Sequence, residues 1–305
     1  MDMIEHLFQD SRLDKIDMKL LGLLRNNARA PISELAKKCR ISKQTTIYRI
    51  KRFEKEGIIK GFHAYIDYKR IGYIIYYVFI QTRYIEDEEE FIKELGCIKG
   101  CVVIMKSITQ YSYSLKIITK DVYKMMVELQ QFFLKKKVVT SHFILEKLEK
   151  PVDNVQMDEK DKRILEELSV NCRLSSLELT KITGLSYDIV HNRLKRMIKN
   201  KVIEKFLTIL DFEREGFMYY NVLLKFADDK FDNFLKFNSE LKLDPLVVSR
   251  FACVGEFSYM FEIVDNNYVH INEKLNKIRS QFHDMIRYSQ IVPIQNHYFY
   301  KTRLE

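Results

Sequence analysis

The stretch SKQTTIYRIKRFEKEGII, residues 42–59, reads as a capped helix with a defined stop. Ser42 is a side chain suited to accept the first unpaired N–H groups of a helix. Thr46, Ile50 and Phe53 follow at i, i+4 and i+7, which makes one inward face. Gly57 ends the helix as the left-handed residue after its last turn. Working outward, Cys39, Arg40 and Ile41 form a tight turn, and residues 33–38, opened by Pro31, form a second helix with Leu35 and Ala36 inward. Before it, Leu20, Leu21, Leu23 and Leu24 make the apolar stripe of a first helix, led by Asp14 and Asp17, which suit a helix N-terminus. After it, Ile58, Ile59, Phe62, Tyr65 and Ile66 read as a short two-stranded wing turning near Lys60 and Gly61. Three short helices and a hairpin make a winged helix-turn-helix.

The same pattern returns 144 residues later. Residues 13–73 align without a gap on residues 157–217, with identities that include Asp14/Asp158, Asp17/Asp161, Leu21/Leu165, Leu24/Leu168, Arg29/Arg173, Glu34/Glu178, Leu35/Leu179, Ser42/Ser186, Arg49/Arg193, Lys51/Lys195, Arg52/Arg196, Ile59/Ile203, Asp67/Asp211 and Gly72/Gly216. In the second copy Ser186 takes the cap, and Val190, Leu194 and Met197 the inward face. Two units of this length are two copies of a complete module rather than a solenoid. Each is followed by segments in the order βαββαβ: residues 74–82, 87–95, 101–108, 111–118, 122–133 and 138–146, then 219–226, 231–241, 246–254, 259–264, 268–282 and 286–298. That order is a ferredoxin-like α+β sandwich. The expected organisation is an extension over 1–12, a winged helix-turn-helix over 13–73, an α+β domain over 74–148, a linker over 149–156 containing Pro151, a second winged helix-turn-helix over 157–217 and a second α+β domain over 218–305.

Composition agrees with a folded, water-soluble chain: 305 residues, 47% apolar and 30% charged, with 9 Gly and 4 Pro. The longest apolar run, residues 71–80, is half of what spans a bilayer, so no membrane partner is expected. The N-terminus has no basic and apolar signal pattern. Five scattered cysteines, Cys39, Cys97, Cys101, Cys172 and Cys253, with no CxxC, fit buried thiols in a reducing cytoplasm and argue against a disulfide framework or a zinc site. The His residues are isolated; His6, His63 and His142 read as surface or core residues. The net charge of +9 is not spread evenly. Residues 13–73 hold 15 basic and 6 acidic residues, a surplus of +9, whereas residues 157–217 hold 12 and 11, a surplus of +1. A basic first module on an otherwise neutral chain points to a polyanion held by that module.

The motifs Leu13-Asp14 and Asp17, Asn27 with Arg29, Glu34 to Ala36, Ile41-Ser42, Arg49 to Ile59, and Asp67 with Gly72-Tyr73 resemble the helix-turn-helix signature of the Lrp/AsnC (feast/famine) transcription regulators. The resemblance covers about all of residues 13–300. It implies a DNA-binding winged helix followed by a RAM-type α+β domain that dimerises and binds small effectors, often amino acids. With both halves in one chain, the resemblance implies a covalent pseudo-dimer that acts as a regulator on double-stranded DNA, self-associates further through its α+β domains, and needs no cofactor and no metal.

In a helix-turn-helix the third helix enters the major groove and its N-terminal outward residues meet base edges. In copy one these are Ser42, Lys43, Gln44, Thr45 and Tyr48, with Lys51 and Arg52 one turn on for phosphates. Arg49 lies nearer the core and reads as a partner for a carboxylate of the first helix. In copy two the candidates are Ser186, Tyr187, His191, Asn192, Lys195 and Arg196. Asp188 there stands where Gln44 stands in copy one and opposes phosphate, so copy one is the expected principal grip. In the resembled family the loop between the second and third strands of the α+β domain has the form Gly-x-x-Asp-Tyr. Copy two keeps Gly255 and Tyr259 with Ser258 for the Asp, and these three are the effector candidates; copy one has Thr109, Ser112 and Tyr113. The loop reads equally as a plain β-turn. Aromatic residues at strand positions, Tyr76, Phe79, Tyr219 and Phe226, read as sheet packing.

Two other classes compete with this reading. Siroheme decarboxylases share this architecture, but their His- and Arg-bearing strings have no counterpart at residues 108–113 or 254–259, and the chain has no Trp; no enzyme is expected. A ligand-sensing module without specific DNA binding is opposed by the intact basic first unit.

Overall fold

A computed structural model describes residues 13–148, 152–211, 216–227 and 233–304. The expected extension over 1–12, with His6, and also Pro151 and Phe231 lie outside the described residues. The chain divides into two compact units that do not follow its order. One gathers both winged-helix segments together with residues 301–304, and the other gathers both α+β segments.

In the first unit, α1 (Lys15–Asn26), α2 (Ile32–Cys39) and α3 (Lys43–Lys55) precede strand β1 (Ile59–Ile66). Asp14 accepts from the Asp17 N–H while Asp17 accepts from the Asp14 N–H, a reciprocal cap that starts α1. The turn between α2 and α3 is made by Arg40 in a left-handed conformation. Leu20, Leu21, Leu24, Leu35, Ile50 and Phe53 close the core. Copy two repeats the plan with α6 (Glu159–Val170), α7 (Ser176–Thr183), α8 (Tyr187–Lys199) and β6 (Ile203–Leu210).

The expected hairpin wing is not what forms. Residues 59–66 are one continuous strand, and its partner is the same strand of the other copy: β1 and β6 pair antiparallel, with His63 opposite Leu207. These two positions are 144 residues apart, so the pseudo-twofold axis of the repeat passes between them. Gly61 marks a bulge next to Lys60 rather than a turn. The flanking hydrogen bonds obey the same symmetry. Ala28 N–H donates to the Phe206 carbonyl at 2.9 Å and Cys172 N–H to that of Phe62 at 2.8 Å; Asp67 N–H donates to Val202 and Asp211 N–H to Ile58, both at 2.9 Å. Residues 301–304 dock on the same unit. Lys301 pairs with Glu167 (2.6 Å), the Thr302 N–H donates to Ser169 Oγ, and the Thr302 hydroxyl shares a 2.8 Å bond with that of Tyr68.

In the second unit, β2 (Ile74–Thr82), α4 (Glu88–Gly96), β3 (Cys101–Ser107), β4 (Tyr113–Thr119), α5 (Val122–Lys135) and β5 (Val139–Lys147) form the first βαββαβ set. The second set is β7 (Met218–Phe226), α9 (Phe234–Leu243), β8 (Val247–Gly255), β9 (Tyr259–Asp265), α10 (Tyr268–Gln281) and β10 (Ile286–Phe299). The helices cover one face of each sheet through two separate cores, one around Leu95, Leu115 and Leu129, the other around Phe237, Phe261 and Leu275. The two sheets do not merely lie face to face. They join by their edges, β5 to β8 and β10 to β3, into a closed eight-stranded barrel. The length of β10 makes this possible, because Ile286 to Ile294 pair with β7 while Ile294 to Phe299 pair with β3. The β5–β8 seam is short, with Leu145 to Lys147 pairing with Cys253 to Gly255. Of the five cysteines, Cys97 is exposed, against the expectation of five buried thiols, and the other four are buried. No helix among the described residues is long and apolar enough to cross a membrane.

Candidate nucleic-acid interface

The third helix of copy one presents a clear outer face. Ser42 Oγ accepts from the Thr45 N–H at 3.0 Å and so starts the helix. Thr46 turns its hydroxyl back to the Ser42 carbonyl (2.9 Å) and is fully buried with Ile50 and Phe53. Ser42, Lys43, Gln44, Ile47, Tyr48 and Lys51 are then left on the exposed side, with Tyr48 67% exposed. Thr45 is half-buried, and its hydroxyl pairs with that of Ser42 at 2.8 Å.

Arg49 and Arg52 face the other way. Arg49 Nη1 meets Asp14 at 2.6 Å and Asp17 at 2.5 Å, and Arg52 Nη2 meets the other oxygen of Asp17 at 2.6 Å. Asp17 is buried, at 1% exposure. A carboxylate taken out of water needs such partners, and removing one leaves an uncompensated charge. Both arginines therefore hold α3 against α1. The reading of Arg49 as a partner of the first helix agrees with this geometry. Arg52, placed with Lys51 as a phosphate ligand by sequence, has an internal carboxylate to satisfy, and Lys51 is the exposed cation of the pair.

Copy two keeps the scaffold and changes the face. Arg193 meets Asp158 at 2.5 Å and Asp161 at 2.9 Å, and Arg196 pairs with the other oxygen of Asp161. The Asp161 N–H bond and Arg193 together hold the Asp158 carboxyl down to about 2. Ser186 sits at the cap position but, unlike Ser42, makes no side-chain cap hydrogen bond. On the outer face Tyr187 stacks on His191 (ring centroids 5.9 Å apart), Asn192 and Lys195 are exposed, and Asp188 occupies the first turn.

Two residues that the repeat singled out without a role prove to be the cross-braces of the unit. Arg29 Nη1 donates to the carbonyls of Cys172 (2.7 Å) and Leu174 (2.8 Å) and lies over the ring of Phe206; Arg173 donates to the Ala28 carbonyl (2.5 Å) and lies over Phe62. Their identity at one repeat offset was the available signal. Its meaning required knowing that the copies face each other.

The effector candidates occupy the β8–β9 turn of the α+β unit. Gly255 has φ +137°, and a Cβ there would lie 2.4 Å from the Ile144 carbonyl oxygen. The close approach that demands glycine is thus to strand β5, at the barrel seam where Gly255 pairs with Leu145. Ser258 Oγ accepts from the Phe226 N–H at 3.1 Å. Tyr259 is fully buried against Phe226, Phe234 and Phe237, and its hydroxyl donates to Asn238 Oδ1 at 2.7 Å. The three side chains are adjacent, and each serves an internal contact. Tyr76, Phe79 and Phe226 are buried in sheet packing, while Tyr219 lies against His297.

Family models match both modules: a winged helix-turn-helix DNA-binding model over residues 13–60 and an AsnC-type helix-turn-helix model over residues 157–198. Among curated proteins, the regulatory protein AsnC of Haemophilus influenzae is 32% identical over 111 residues, 36% of this chain and 74% of that protein. The HTH-type transcriptional regulator Ptr1 of Methanocaldococcus jannaschii is 35% identical over 112 residues, again 36% and 74%. Among solved structures, the siroheme decarboxylase NirDL superposes with a TM-score of 0.63 at 12% identity, covering 95% of this chain and 94% of that one. That likeness is one of fold. The reciprocal caps, the buried Asp–Arg networks and the exposed third helix occur twice, and the relatives each match one such unit; the chain belongs to the Lrp/AsnC family of transcriptional regulators.

Proposed function

We propose that this chain is a sequence-specific DNA-binding transcriptional regulator that works as a covalent pseudo-dimer, with the first winged helix as its principal grip. The observation that carries the reading is the division of labour on α3. Its arginines are tied to Asp14 and Asp17, and Lys43, Gln44, Tyr48 and Lys51 are left exposed on the basic module. Gln44 suits adenine and Lys43 guanine at base edges, and Lys51 and the N–H groups at the Ser42 cap suit phosphate. The second winged helix, with Ser186, Tyr187, His191, Asn192 and Lys195 on its face and Asp188 among them, reads a weaker half-site. Two unlike readers in one chain suit an asymmetric operator, with half-sites about one helical turn, ~34 Å, or a multiple of it apart.

Selection from random duplex DNA with the full chain, at fixed salt, tests the reading. An enriched motif that is lost with Lys43→Ala plus Gln44→Ala supports it, and recovery of no motif overturns it. We further read the α+β unit as the place of self-association and of any effector, such as an amino acid at Gly255, Ser258 and Tyr259. Because all three also serve the fold, thermal stabilisation by individual amino acids is the direct test of that assignment. Action on DNA in the cytoplasm follows from the same reading. We read the chain as a non-enzyme: residues 108–113 and 254–259 offer no His or Arg for acid-base work on a tetrapyrrole.

A further inference from the structure

Among the described residues, two that are not glycine have a positive φ, Arg40 (57°) and Lys201 (55°). That conformation strains a residue with a side chain, and it persists where the surroundings impose it or the function uses it. Arg40 joins α2 to α3, two residues before the Ser42 cap, and its N–H closes α2 onto the Ala36 and Lys37 carbonyls. This backbone task does not ask for an arginine. The same turn in copy two is made by Gly184 (φ 70°), whose N–H closes α7 onto the Thr180 carbonyl.

The side chain has no partner in the fold to account for it either. Arg40 is exposed, and the acidic groups of the module are engaged elsewhere: Glu34 with Lys38 at 2.7 Å, and Asp14 and Asp17 with Arg49 and Arg52. Lys37, Arg40 and Lys43 make no side-chain hydrogen bond or ion pair among the described residues. A helix C-terminus favours a cation, but Lys37 and Lys38 already stand in the last turn of α2. Residues 37–44 hold four basic and no acidic residues, against one of each over residues 181–188. This turn alone supplies half of the charge difference between the two modules. Unpaired cations gathered on one turn repel each other and favour a polyanion.

We propose that Arg40 holds a backbone phosphate of the DNA, with Lys37 beside it, as a sequence-independent contact outside α3. The inference rests on the DNA reading above and adds a residue to it. In a helix-turn-helix the helix before the recognition helix crosses the sugar-phosphate backbone, so the residue joining the two stands where the strand passes. A guanidinium there offers two N–H groups to phosphate oxygens at once. Copy one keeps a strained arginine for this contact. Copy two has glycine, without the strain and without the contact, as suits the weaker reader.

Fluorescence anisotropy of the full chain on the selected operator and on an unrelated duplex of equal length, from about 50 to about 300 mM salt, tests the inference. Arg40→Gln, Arg40→Lys and Arg40→Gly separate charge from backbone. Arg40→Gln and Arg40→Gly are expected to weaken both duplexes by about fivefold at ~0.15 M salt and to lower the slope of log affinity against log salt by about one. Arg40→Lys keeps the slope. Arg40→Gly weakens binding while raising the unfolding temperature, an opposition of signs that a purely structural role does not produce. Lys201→Gly, which relieves the same strain beyond the far end of α8, leaves affinity unchanged. If the wild-type chain binds duplex and Arg40→Gln keeps its affinity and slope, the inference is overturned and the DNA reading stands. A slope lowered equally by Arg40→Lys also overturns it. If the wild-type chain binds no duplex, both fall together.

Discussion

Arg29 and Arg173, one repeat apart, brace each other's modules: each donates from its guanidinium into the loop that carries the other, Arg29 to the carbonyls of Cys172 and Leu174, Arg173 to that of Ala28. With the β1–β6 ladder between them, the two winged helices form one body with an internal twofold. A regulator assembled from separate subunits makes such a contact only on association, whereas a tandem chain makes it by folding. The effective concentration of one module near the other is set by the chain itself.

The first prediction follows from that bracing. Hydrogen bonds to a charged group are worth about 1.5–3 kcal/mol, and orphaned carbonyls add to the loss. Arg29→Ala and Arg173→Ala should each lower stability by about 2 kcal/mol in denaturant unfolding. The double variant should lose less than the sum, because both changes release the same interface. Full additivity would show that the two loops are held independently.

A second prediction concerns two left-handed positions that the copies fill in opposite ways. After α2 the residue is Arg40 (φ 57°) in copy one and Gly184 (φ 70°) in copy two; after α3 it is Gly57 (φ 72°) in copy one and Lys201 (φ 55°) in copy two. A side chain in this region is strained, and glycine is not. Arg40→Gly and Lys201→Gly should each raise stability by about 0.5–1 kcal/mol, the relief of strain less the added freedom of the unfolded chain. Gly184→Ala should cost about 1 kcal/mol. A Cβ at Gly184 meets nothing within 4 Å, so any loss there is backbone strain alone. Thermal melts of the three variants check the signs.

The helices, their caps and the βαββαβ order were legible because each rests on local chemistry: apolar periodicity, a Ser or Asp before the first turn, glycine after the last. Arg49 was legible as a partner of the first helix for the same reason. The wing was misread because alternation looks the same whether a strand pairs with its neighbour or with a distant copy, and Gly61 signals a bulge as readily as a turn. That Arg52 pairs with Asp17 was not legible, since its spacing from Lys51 says nothing about which side of the helix holds that carboxylate. Barrel closure through β10 was not legible at all. It depends on register at two seams, β10 to β3 and β5 to β8, and Gly255 bears only on the second, once Ile144 is known to lie opposite.

The third prediction is acid sensitivity. Asp158 is held at about 2, below its ordinary 3.8, by the Asp161 N–H and by Arg193. Burial pushes Asp14 up, but Arg49 and the Asp17 N–H outweigh it and leave that group low as well. A carboxyl lowered on folding contributes stability above its unfolded value, and that contribution is lost as pH falls toward the folded value. The tether of α6 to α8 should therefore weaken between about pH 4 and pH 2, that of α1 to α3 should weaken with acid in the same sense, and Asp158→Asn should flatten the stability profile of the second module across its window. Unfolding midpoints measured across those pH values check it, and a profile unchanged by the substitution would contradict the assignment.

The last prediction separates reading from scaffolding on the DNA face. Each good base contact discriminates by about 1–3 kcal/mol, so Lys43→Ala plus Gln44→Ala, which removes two, should cut operator affinity by at least about thirtyfold. Asp188→Ala plus His191→Ala should change it by about threefold or less, because removing the acidic group offsets the lost contact. Lys51→Ala should weaken all sequences alike and reduce the slope of log affinity against log salt by about one. Arg52→Ala should act differently: it leaves buried Asp17 with Arg49 and the Asp14 N–H as its remaining partners, so the loss appears first in the unfolding midpoint, and the salt slope stays near the wild-type value. Parallel salt titrations and melts of the Lys51 and Arg52 variants distinguish the two roles. If Arg52→Ala shifts the salt slope while the melt stays put, its guanidinium leaves Asp17 for phosphate when DNA binds, and the division of labour on α3 is wrong.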